Sequence, residues 1–304
     1  MMFCFRDEFE YFECAKCGCL QIKEIPNNLE HYYPDNYYAH KPIKNSSTIF
    51  DRIKTVFRTK RNSYIMNGKG ILGKLLAIFI PNNIFNIIKL SGINLNSRIM
   101  DVGCGDGSLI KHLGDMGYKN SIGIDPLIDD DFQFENGINI YKKNLDEIDE
   151  LFDLIMFNHS FEHMSDPNNA LRLVKNILSP GGICIIRVPT VSSSTWLHYG
   201  VNWVAIDAPR HIFIPSVKSM NILCDSASLA LDNIIYDSTI LQFWGSEQYL
   251  NDIPLISEKS YGKNNENSIF SKSDINNFQR KTKELNATQL GDSAAFFIKN
   301  KRLL

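Results

Sequence analysis

The stretch Arg98-Ile-Met-Asp-Val-Gly-Cys-Gly-Asp-Gly-Ser-Leu-Ile110 decides the fold of this 304-residue chain. An apolar strand leads into Asp101, and a turn into a helix-like segment follows. Three glycines alternate through that turn, at Gly103, Gly105 and Gly107. Glycines at this spacing let the backbone approach a ligand more closely than any Cβ would permit. Because the Asp101 carboxylate would repel a diphosphate and attract a cation, the turn predicts a site for a positively charged cofactor.

The composition is that of a globular protein with enough apolar residues, 44%, for a sizeable core. The formal net charge is -2, from 32 basic and 34 acidic residues. Without a broad basic field to attract phosphates, we expect no nucleic-acid partner. Acidic residues at Asp7, Glu8 and Glu10 interrupt any secretory signal, and the seven cysteines are an odd number. Both observations predict a reducing, cytoplasmic location.

From residue 97 onward, short apolar strands alternate with helical segments. Strands are predicted at 98–102, 121–124, 138–141, 152–158, 182–188, 231–237 and 294–298. Helices are predicted at 108–116, 168–177 and 217–228. This alternation predicts an α/β fold, with right-handed crossovers and a doubly wound, mainly parallel sheet of seven strands.

The chain divides by composition into a Cys- and Tyr-rich segment at 1–45, a helical cap at 46–95 and a domain at 96–304. Residues 71–90 are apolar but contain Lys74, Pro81 and Lys89. Charged and amide side chains at those depths are costly in hydrocarbon, so we expect two amphipathic helices broken at Pro81. Membrane contact through this segment is at most peripheral.

In a doubly wound sheet, ligands bind beyond the carboxyl ends of the strands. The second predicted strand ends at Asp125, 18 residues after Gly107, where a carboxylate can accept both hydroxyls of a ribose. A nicotinamide dinucleotide fold also uses glycines and a distal acid. The turn here lacks the Gly-x-Gly-x-x-Gly step that brings a helix onto a pyrophosphate, which disfavours that alternative.

Four motifs in order carry a family resemblance over residues 97–190. They are Asp-Val-Gly-Cys-Gly-Asp-Gly at 101–107, Ile-Gly-Ile-Asp-Pro at 122–126, Phe-Asp-Leu-Ile-Met-Phe-Asn-His-Ser-Phe-Glu-His at 152–163 and Leu-Ser-Pro-Gly-Gly at 178–182. Together they resemble class I S-adenosylmethionine-dependent methyltransferases. The resemblance implies a Rossmann-like sheet with an antiparallel last strand. It implies cofactor contacts from Asp101, Gly103, Gly105, Gly107, Asp125, Pro126, Asn144, Leu145 and Asn158.

Two histidine groups compete for the role of general base, which a hydroxyl acceptor needs. His159 and His163 flank Glu162, and this group is also interpreted as a cap that orients the following helix. Some members of the resembled family hold a divalent metal with Glu-x-x-Glu-His, of which this chain keeps the last two residues.

The second group ends the segment Trp203-Val-Ala-Ile-Asp-Ala-Pro-Arg-His211, which resembles methyltransferases of bacterial polysaccharide and sugar modification. Asp207, Arg210 and His211 offer an acceptor, a forked donor and a proton carrier within five residues. We predict His211, His159, Arg210 and Asp207 as catalytic residues. The alternative is that Asp207 and Arg210 form a structural ion pair.

Cysteines cluster near the start of the chain, and Cys14-Ala-Lys-Cys17-Gly-Cys19 resembles half of a zinc knuckle. A structural zinc needs four ligands, and the upstream pair common in related sugar methyltransferases is missing. Cys4, Cys14, Cys17 and Cys19 are therefore the candidate zinc ligands. The aromatic loop at 31–40 is interpreted as a sugar-stacking surface or a lid.

The sequence thus predicts a cytoplasmic S-adenosylmethionine-dependent methyltransferase. The predicted acceptor is a hydroxyl oxygen of a sugar or glycan intermediate, such as a nucleotide sugar. One alternative is a lipid or quinone acceptor that enters over the helices at 71–90. Another is a non-catalytic relative that binds the cofactor.

Overall fold

The computed structural model describes residues 2, 4–33 and 49–301. Its strands are β1 (Tyr11–Glu13), β2 (Leu20–Ile22), β3 (Ile99–Val102), β4 (Ser121–Ile124), β5 (Phe132–Gln133), β6 (Asn139–Tyr141), β7 (Phe152–Asn158), β8 (Leu178–Pro189), β9 (Phe213–Ile214), β10 (Leu229–Tyr236) and β11 (Ser293–Asn300). Its helices are α1 (Ile49–Asn67), α2 (Ile71–Phe79), α3 (Asn83–Lys89), α4 (Ser108–Asp115), α5 (Pro167–Ile177), α6 (Ser194–Tyr199), α7 (Val217–Ser226), α8 (Leu241–Leu250) and α9 (Lys272–Ala287). Most of the aromatic loop lies outside the described residues.

The main sheet has the strand order β10-β11-β8-β7-β3-β4-β6-β5. Strands β8, β7, β3, β4 and β6 are parallel to one another, and β11 is antiparallel to both β8 and β10. The predicted α/β fold with a reversed last strand is confirmed. The predicted count of seven strands is wrong by one, because the two-residue strand β5 pairs antiparallel with β6 and adds an eighth strand at the edge.

The central strands form because they are apolar on both faces, as parallel strands between two helical layers must be. All four residues of β3 are buried, and so are five of the seven in β7. One core cluster packs beneath α5 and α7, and another beneath α1, α3 and α4. Helix α5 begins sharply, since Pro167 follows Asp166, whose carboxylate accepts the N–H of Asn169 at 2.9 Å.

A second, three-stranded sheet was not predicted. It has the order β1-β2-β9, and all its pairings are antiparallel. The sheet therefore joins residues near the start of the chain to the strand that directly follows His211. Helices α2 and α3 are the two helices predicted around Pro81. No helix in the described ranges is long and apolar enough to cross a membrane. The division of the chain at residues 45 and 95 stays a prediction.

A buried polar contact ties the loop after β8 to the start of β11. Trp203 is fully buried, and its Nε1–H donates to Oδ2 of Asp292 at 3.0 Å. The backbone carbonyl of Asp292 accepts the N–H of Thr190. Burial raises the pKa of the Asp292 carboxyl to about 6, although the bond from Trp203 acts in the opposite direction. The indole N–H therefore stabilises a carboxylate that has little access to water.

Replacing Trp203 by Phe should lower the free energy of unfolding by about 1–3 kcal/mol at pH 8, because a buried carboxylate loses one of its donors. The pKa of Asp292 rises further in the variant, so the loss should develop as the pH increases through 6 and be smaller at pH 5. Urea titrations at the two pH values measure it. Trp196→Phe is the matched control, since that ring packs against Trp203. An equal loss at both pH values would contradict the proposed role of the N–H.

Candidate active site

The glycine turn after β3 has the geometry that the sequence predicts. Gly103, Gly105 and Gly107 all have positive φ, at 67°, 53° and 71°, a region that side chains with a Cβ rarely adopt. A Cβ on Gly103 would lie 2.5 Å from the Cβ of Ser160, and one on Gly107 would lie 2.8 Å from Cδ1 of Ile140. The turn thus has no room for side chains, and its backbone is held against the neighbouring strands.

Asp125 follows β4 and fixes the same turn from its other side. Its Oδ2 accepts the N–H of Gly105 at 2.9 Å, and its Oδ1 accepts the N–H of Leu127 at 2.8 Å. Each carboxylate oxygen retains a second lone pair for a ligand. Asp125 therefore both shapes the glycine turn and faces the space in front of it.

Asp101 is buried beneath the turn. Its Oδ1 accepts no hydrogen bond from the described residues. Burial, together with the negative charges of Asp125 and Asp106, raises the pKa of Asp101 to about 8. A cationic ligand in front of the turn would favour the ionised carboxylate, so the site has the electrostatics that a positively charged cofactor requires.

A cavity of about 910 Å³ opens in front of the turn. The predicted site residues that line it are Gly103, Gly105, Asp125, Pro126, Asn144, Leu145 and His159. The unpredicted residues that line it include Leu29, Glu30, Lys143, Ser160, Met164, Asp166 and Asn169. Tyr33 and His163 line it as well. A space of this size accommodates a nucleoside cofactor and a second small molecule.

Three of the predicted cofactor residues lie outside this lining. Asp101 and Gly107 support the turn from beneath and behind. The side chain of Asn158 is directed toward the sheet, where its Oδ1 accepts from Nη1 of Arg187 at 3.1 Å. Arg187 is in turn paired with Asp237 at 2.5 Å. In this arrangement Asn158 holds Arg187 and does not reach the cavity.

A buried carboxylate lies behind the cavity histidines. Glu162 is fully buried, and Nδ1 of His159 lies 3.4 Å from its Oε1. Burial alone would raise the pKa of Glu162, but contact with His159 and the charges of His211 and His163 lower it to about 2. Glu162 is thus an ionised group that attracts the Nδ1–H of His159.

His163 and His211 have their ring orientation fixed by backbone carbonyls. Nδ1 of His163 lies 2.8 Å from the carbonyl oxygen of Arg210, and Nδ1 of His211 lies 2.8 Å from that of Ala205. Since a carbonyl only accepts, each Nδ1 carries a proton. Glu162, His163 and His211 offer ligand atoms within 4.8 Å of one another, so these three residues could hold a divalent cation.

The second predicted catalytic group lies one layer behind the cavity. Arg210 donates to both carboxylate oxygens of Asp207 at 2.5 Å, so the pair forms the contact that the structural alternative describes. His211 is buried, with Nε2 3.7 Å from Oδ2 of Asp207 and 3.9 Å from Oε1 of Glu162. The hydroxyl of Tyr11 donates to the carbonyl of His211 at 2.8 Å. None of these four residues lines the cavity.

Three of the four candidate zinc ligands are together. Cys14, Cys17 and Cys19 place their sulfur atoms within 4.8 Å of one another, with 3.4 Å between those of Cys17 and Cys19. Cys4 is exposed and is outside this group. The described residues therefore supply three thiols for a site that normally takes four ligands.

Sequence reasoning interpreted the aromatic loop as a sugar-stacking surface or a lid but did not predict that Leu29 and Glu30 line the cavity. Tyr33 lies in the predicted aromatic loop, and its hydroxyl is 3.2 Å from Nδ1 of His163. The guanidinium of Arg210 lies 5.8 Å from the centre of the Tyr33 ring. The density of tyrosines was the available signal. Leu29 and Glu30 had no such signal, because their contribution depends on the path of the chain before Tyr33.

Comparisons with known proteins identify the family to which the chain belongs. A sequence model described as a methyltransferase domain matches residues 80–233, just over half of the chain. The tRNA U34 carboxymethyltransferase of Campylobacter fetus is 27% identical over 177 residues, covering 53% of this chain and 63% of that protein. The human mitochondrial ubiquinone biosynthesis O-methyltransferase is 30% identical over 124 residues, covering 36% of this chain and 32% of that protein.

Among solved structures, a SAM-dependent methyltransferase from Archaeoglobus fulgidus aligns with a TM-score of 0.41 and 18% identity. The alignment covers 84% of this chain and 100% of that one. The chain spans less than two thirds of the length of the two relatives named above. The match over residues 80–233 contains the glycine turn, Asp125, His159 and His211. The chain therefore belongs to this methyltransferase domain family.

Proposed function

We propose that this chain transfers a methyl group from S-adenosylmethionine to a hydroxyl oxygen of a small acceptor, a sugar or glycan intermediate such as a nucleotide sugar. One observation carries the proposal. A single cavity is lined both by the glycine turn with Asp125 and by an imidazole, His159, that has a buried carboxylate behind it. Such a cavity brings a cofactor site and a proton acceptor into reach of the same bound molecule.

The cofactor side fits S-adenosylmethionine. Asp125 retains lone pairs toward the cavity for ribose hydroxyls, and Asn144 and Leu145 line the next part of it. Asp101 has an oxygen without a partner among the described residues, and a bound cation would favour its ionised form beneath the turn. When bound, S-adenosylmethionine supplies a methyl group that is activated by the positive sulfonium. A carboxylate at this position favours a cation over a pyrophosphate, which supports this cofactor over a dinucleotide.

On the acceptor side, we propose that His159 is the general base. Its Nδ1 faces Glu162, so its Nε2 is available to take the proton of an acceptor hydroxyl while that oxygen forms a bond to the methyl carbon. His159 has a positive φ of 56°, a conformation that costs energy and often occurs at functional sites. His211, Asp207 and Arg210 are positioning residues in this proposal, because they hold His163 and Glu162 from behind.

The polar lining supports a hydroxylated acceptor. Glu30, Tyr33, Lys143, Asp166 and Asn169 all line the cavity and offer donors or acceptors to sugar hydroxyls. The ring of Tyr33 can also stack on a sugar face. A polar lining of this kind is less suited to an acceptor that is apolar throughout.

A phenolic, quinone-like acceptor is the second candidate, and a specific observation favours it. One of the relatives is named a ubiquinone biosynthesis O-methyltransferase, whereas neither of the two relatives reported above is named for a sugar pathway. The other is named for tRNA. The chain's net charge of -2 argues against a polynucleotide partner here. A cytoplasmic location is part of the proposal and is supported by seven free thiols.

A structural zinc held by Cys14, Cys17 and Cys19 is the remaining part of the proposal. The sequence-based candidate for the fourth ligand, Cys4, is outside the cluster. The three sulfur atoms lie where β1 turns into β2, and Ser216 donates to the carbonyl of Cys17 at 2.5 Å. A metal there would fasten the small sheet to the start of α7 and would take no part in methyl transfer.

Replacing Asp125 by Ala should weaken S-adenosylmethionine binding at least about a hundredfold, because charge-assisted bonds to the ribose and the support of Gly105 are both lost. Isothermal titration calorimetry measures the affinity. Asp125→Asn retains one acceptor oxygen and should lose less. Asp131→Ala is the matched control, since that carboxylate also accepts a backbone N–H, from Lys142, but does not line the cavity. Unchanged affinity in folded Asp125→Ala would refute the ribose assignment.

Incubation with labelled S-adenosylmethionine should methylate members of a nucleotide-sugar panel in preference to a panel of phenolic quinone precursors or to tRNA. The His159→Gln variant should lose about a hundredfold or more in kcat, with unchanged cofactor affinity, because only proton transfer is affected. His198→Gln, at an exposed histidine outside the cavity, is its matched control.

Three outcomes of that screen would count against parts of the proposal. Transfer of the label to phenols but not to sugars would assign the acceptor to the phenolic, quinone-like class instead of the sugar class. Full activity in His159→Gln with a loss in His211→Ala would move the base to His211. Cofactor binding without transfer to any panel would favour a non-catalytic relative.

Purified protein should contain about one zinc per chain, measured by plasma mass spectrometry. Cys17→Ser should lose the zinc, because a site with two thiolate ligands binds it much more weakly than a site with three. Cys4→Ser should retain it. Metal that persists in Cys17→Ser but disappears in Glu162→Gln would instead assign the ion to the histidine cluster. A metal-free wild-type protein would end the zinc proposal.

A further inference from the structure

Helix α2 packs with its smallest residue inward. Gly73 is the one buried residue of α2, and a Cβ there would lie 2.7 Å from the Cβ of Tyr64 on α1. The opposite side of the helix exposes large apolar side chains. Ile71 is 84% exposed and Phe79 is 80% exposed. A helix of a water-soluble domain normally has the reverse arrangement, because burial of large apolar side chains is what holds it in place.

The exposed apolar face continues on the first half of α1. Phe50, Ile53 and Phe57 are exposed at positions i, i+3 and i+7, the spacing of a single helical stripe, and Phe50 is 76% exposed. Only the second half of α1 enters the core, through Ile65 and Met66. We call the exposed apolar side chains of both helices the α1–α2 surface; its members are Phe50, Ile53, Val56, Phe57, Ile71, Leu72, Leu75, Ile78 and Phe79.

The charge around this surface identifies the kind of partner it fits. Residues 49–79 contain seven Lys or Arg and one acidic residue, in a chain whose formal net charge is -2. The six exposed basic residues are Arg52, Lys54, Arg58, Lys60, Lys69 and Lys74. Large apolar side chains combined with many cations are typical of helices that lie in the interface of an anionic membrane.

We propose that the α1–α2 surface docks on the surface of an anionic lipid bilayer. With nine residues, α2 is too short to span hydrocarbon, so it lies in the plane of the interface. Its apolar side chains enter the acyl boundary while the basic residues contact lipid phosphates. Apolar burial supplies the affinity and the cations supply the selectivity for anionic lipid. The proposal concerns binding alone, so it does not depend on which acceptor the cavity takes.

Co-sedimentation with vesicles tests the proposal. The full chain should bind vesicles of phosphatidylcholine with about three lipids in ten replaced by phosphatidylglycerol, and bind pure phosphatidylcholine vesicles at least about tenfold more weakly. A triple variant with Phe50→Ser, Ile71→Ser and Phe79→Ser should lose about tenfold or more of the binding to the anionic vesicles.

Matched controls distinguish binding through the α1–α2 surface from nonspecific hydrophobic binding. Leu197 and Val201 are 84% and 85% exposed on another part of the molecule, and a Leu197→Ser, Val201→Ser variant should bind as the wild type does. A charge variant with Lys54→Gln, Lys60→Gln and Lys74→Gln should lose the preference for phosphatidylglycerol.

The corresponding charge control, Lys218→Gln, Lys259→Gln and Lys283→Gln, should keep that preference, because these exposed lysines lie elsewhere. Thermal melts of all variants confirm that they are folded. No binding to either vesicle would overturn the proposal, as would equal losses in the test and control variants. A wild-type dimer in light scattering that becomes monomeric in the Phe50, Ile71 and Phe79 variant, without vesicle binding, would assign the surface to a second copy of the chain.

Discussion

The close packing of the glycine-turn backbone against neighbouring side chains is the constraint on which the site depends. The chain can turn after β3 only because the missing Cβ of Gly103 leaves room for Ser160 and the missing Cβ of Gly107 leaves room for Ile140. Gly123 on β4 does the same beneath Cys104. These contacts join four parallel strands, β3, β4, β6 and β7, so the positions of Asp125 and of the residues after β7 follow from the same packing. A Cβ at Gly103 or Gly107 would push those strands apart and would disrupt the wall of the cavity that the glycine turn forms.

The histidines and carboxylates beside the glycine turn are arranged in layers. His159 and His163 face the cavity, Glu162 lies behind them, and Asp207 and His211 lie behind Glu162. Each layer orients the one in front of it through a charge or a backbone carbonyl. The orientation of each imidazole is therefore fixed before a reaction begins, so no side-chain freedom is lost during the reaction. An ionised carboxylate that is fully buried would be costly by itself. Here the surrounding imidazoles offset the cost of burial.

The sequence was sufficient where the site is local and insufficient where it is assembled across long distances. The positions of Gly103 and Asp125 were predictable, because they follow from a turn and from the end of a strand. The orientation of Asn158 was not, since it depends on Arg187 in a neighbouring strand. Strands of two or three residues, such as β5 and β9, have no periodicity to detect. The contact between Tyr33 and His163 joins residues 130 positions apart, and no pattern within either segment indicates it.

That contact has a consequence for how selectivity can change over time. The proposed cofactor side of the cavity is built from consecutive elements of the large sheet, whereas Leu29, Glu30 and Tyr33 belong to the segment that follows β2 of the small sheet. Substitutions before residue 34 can therefore alter the shape offered to an acceptor while the nucleoside subsite is preserved. Related chains could therefore come to modify different acceptors through substitutions within some thirty residues, while the fold stays the same.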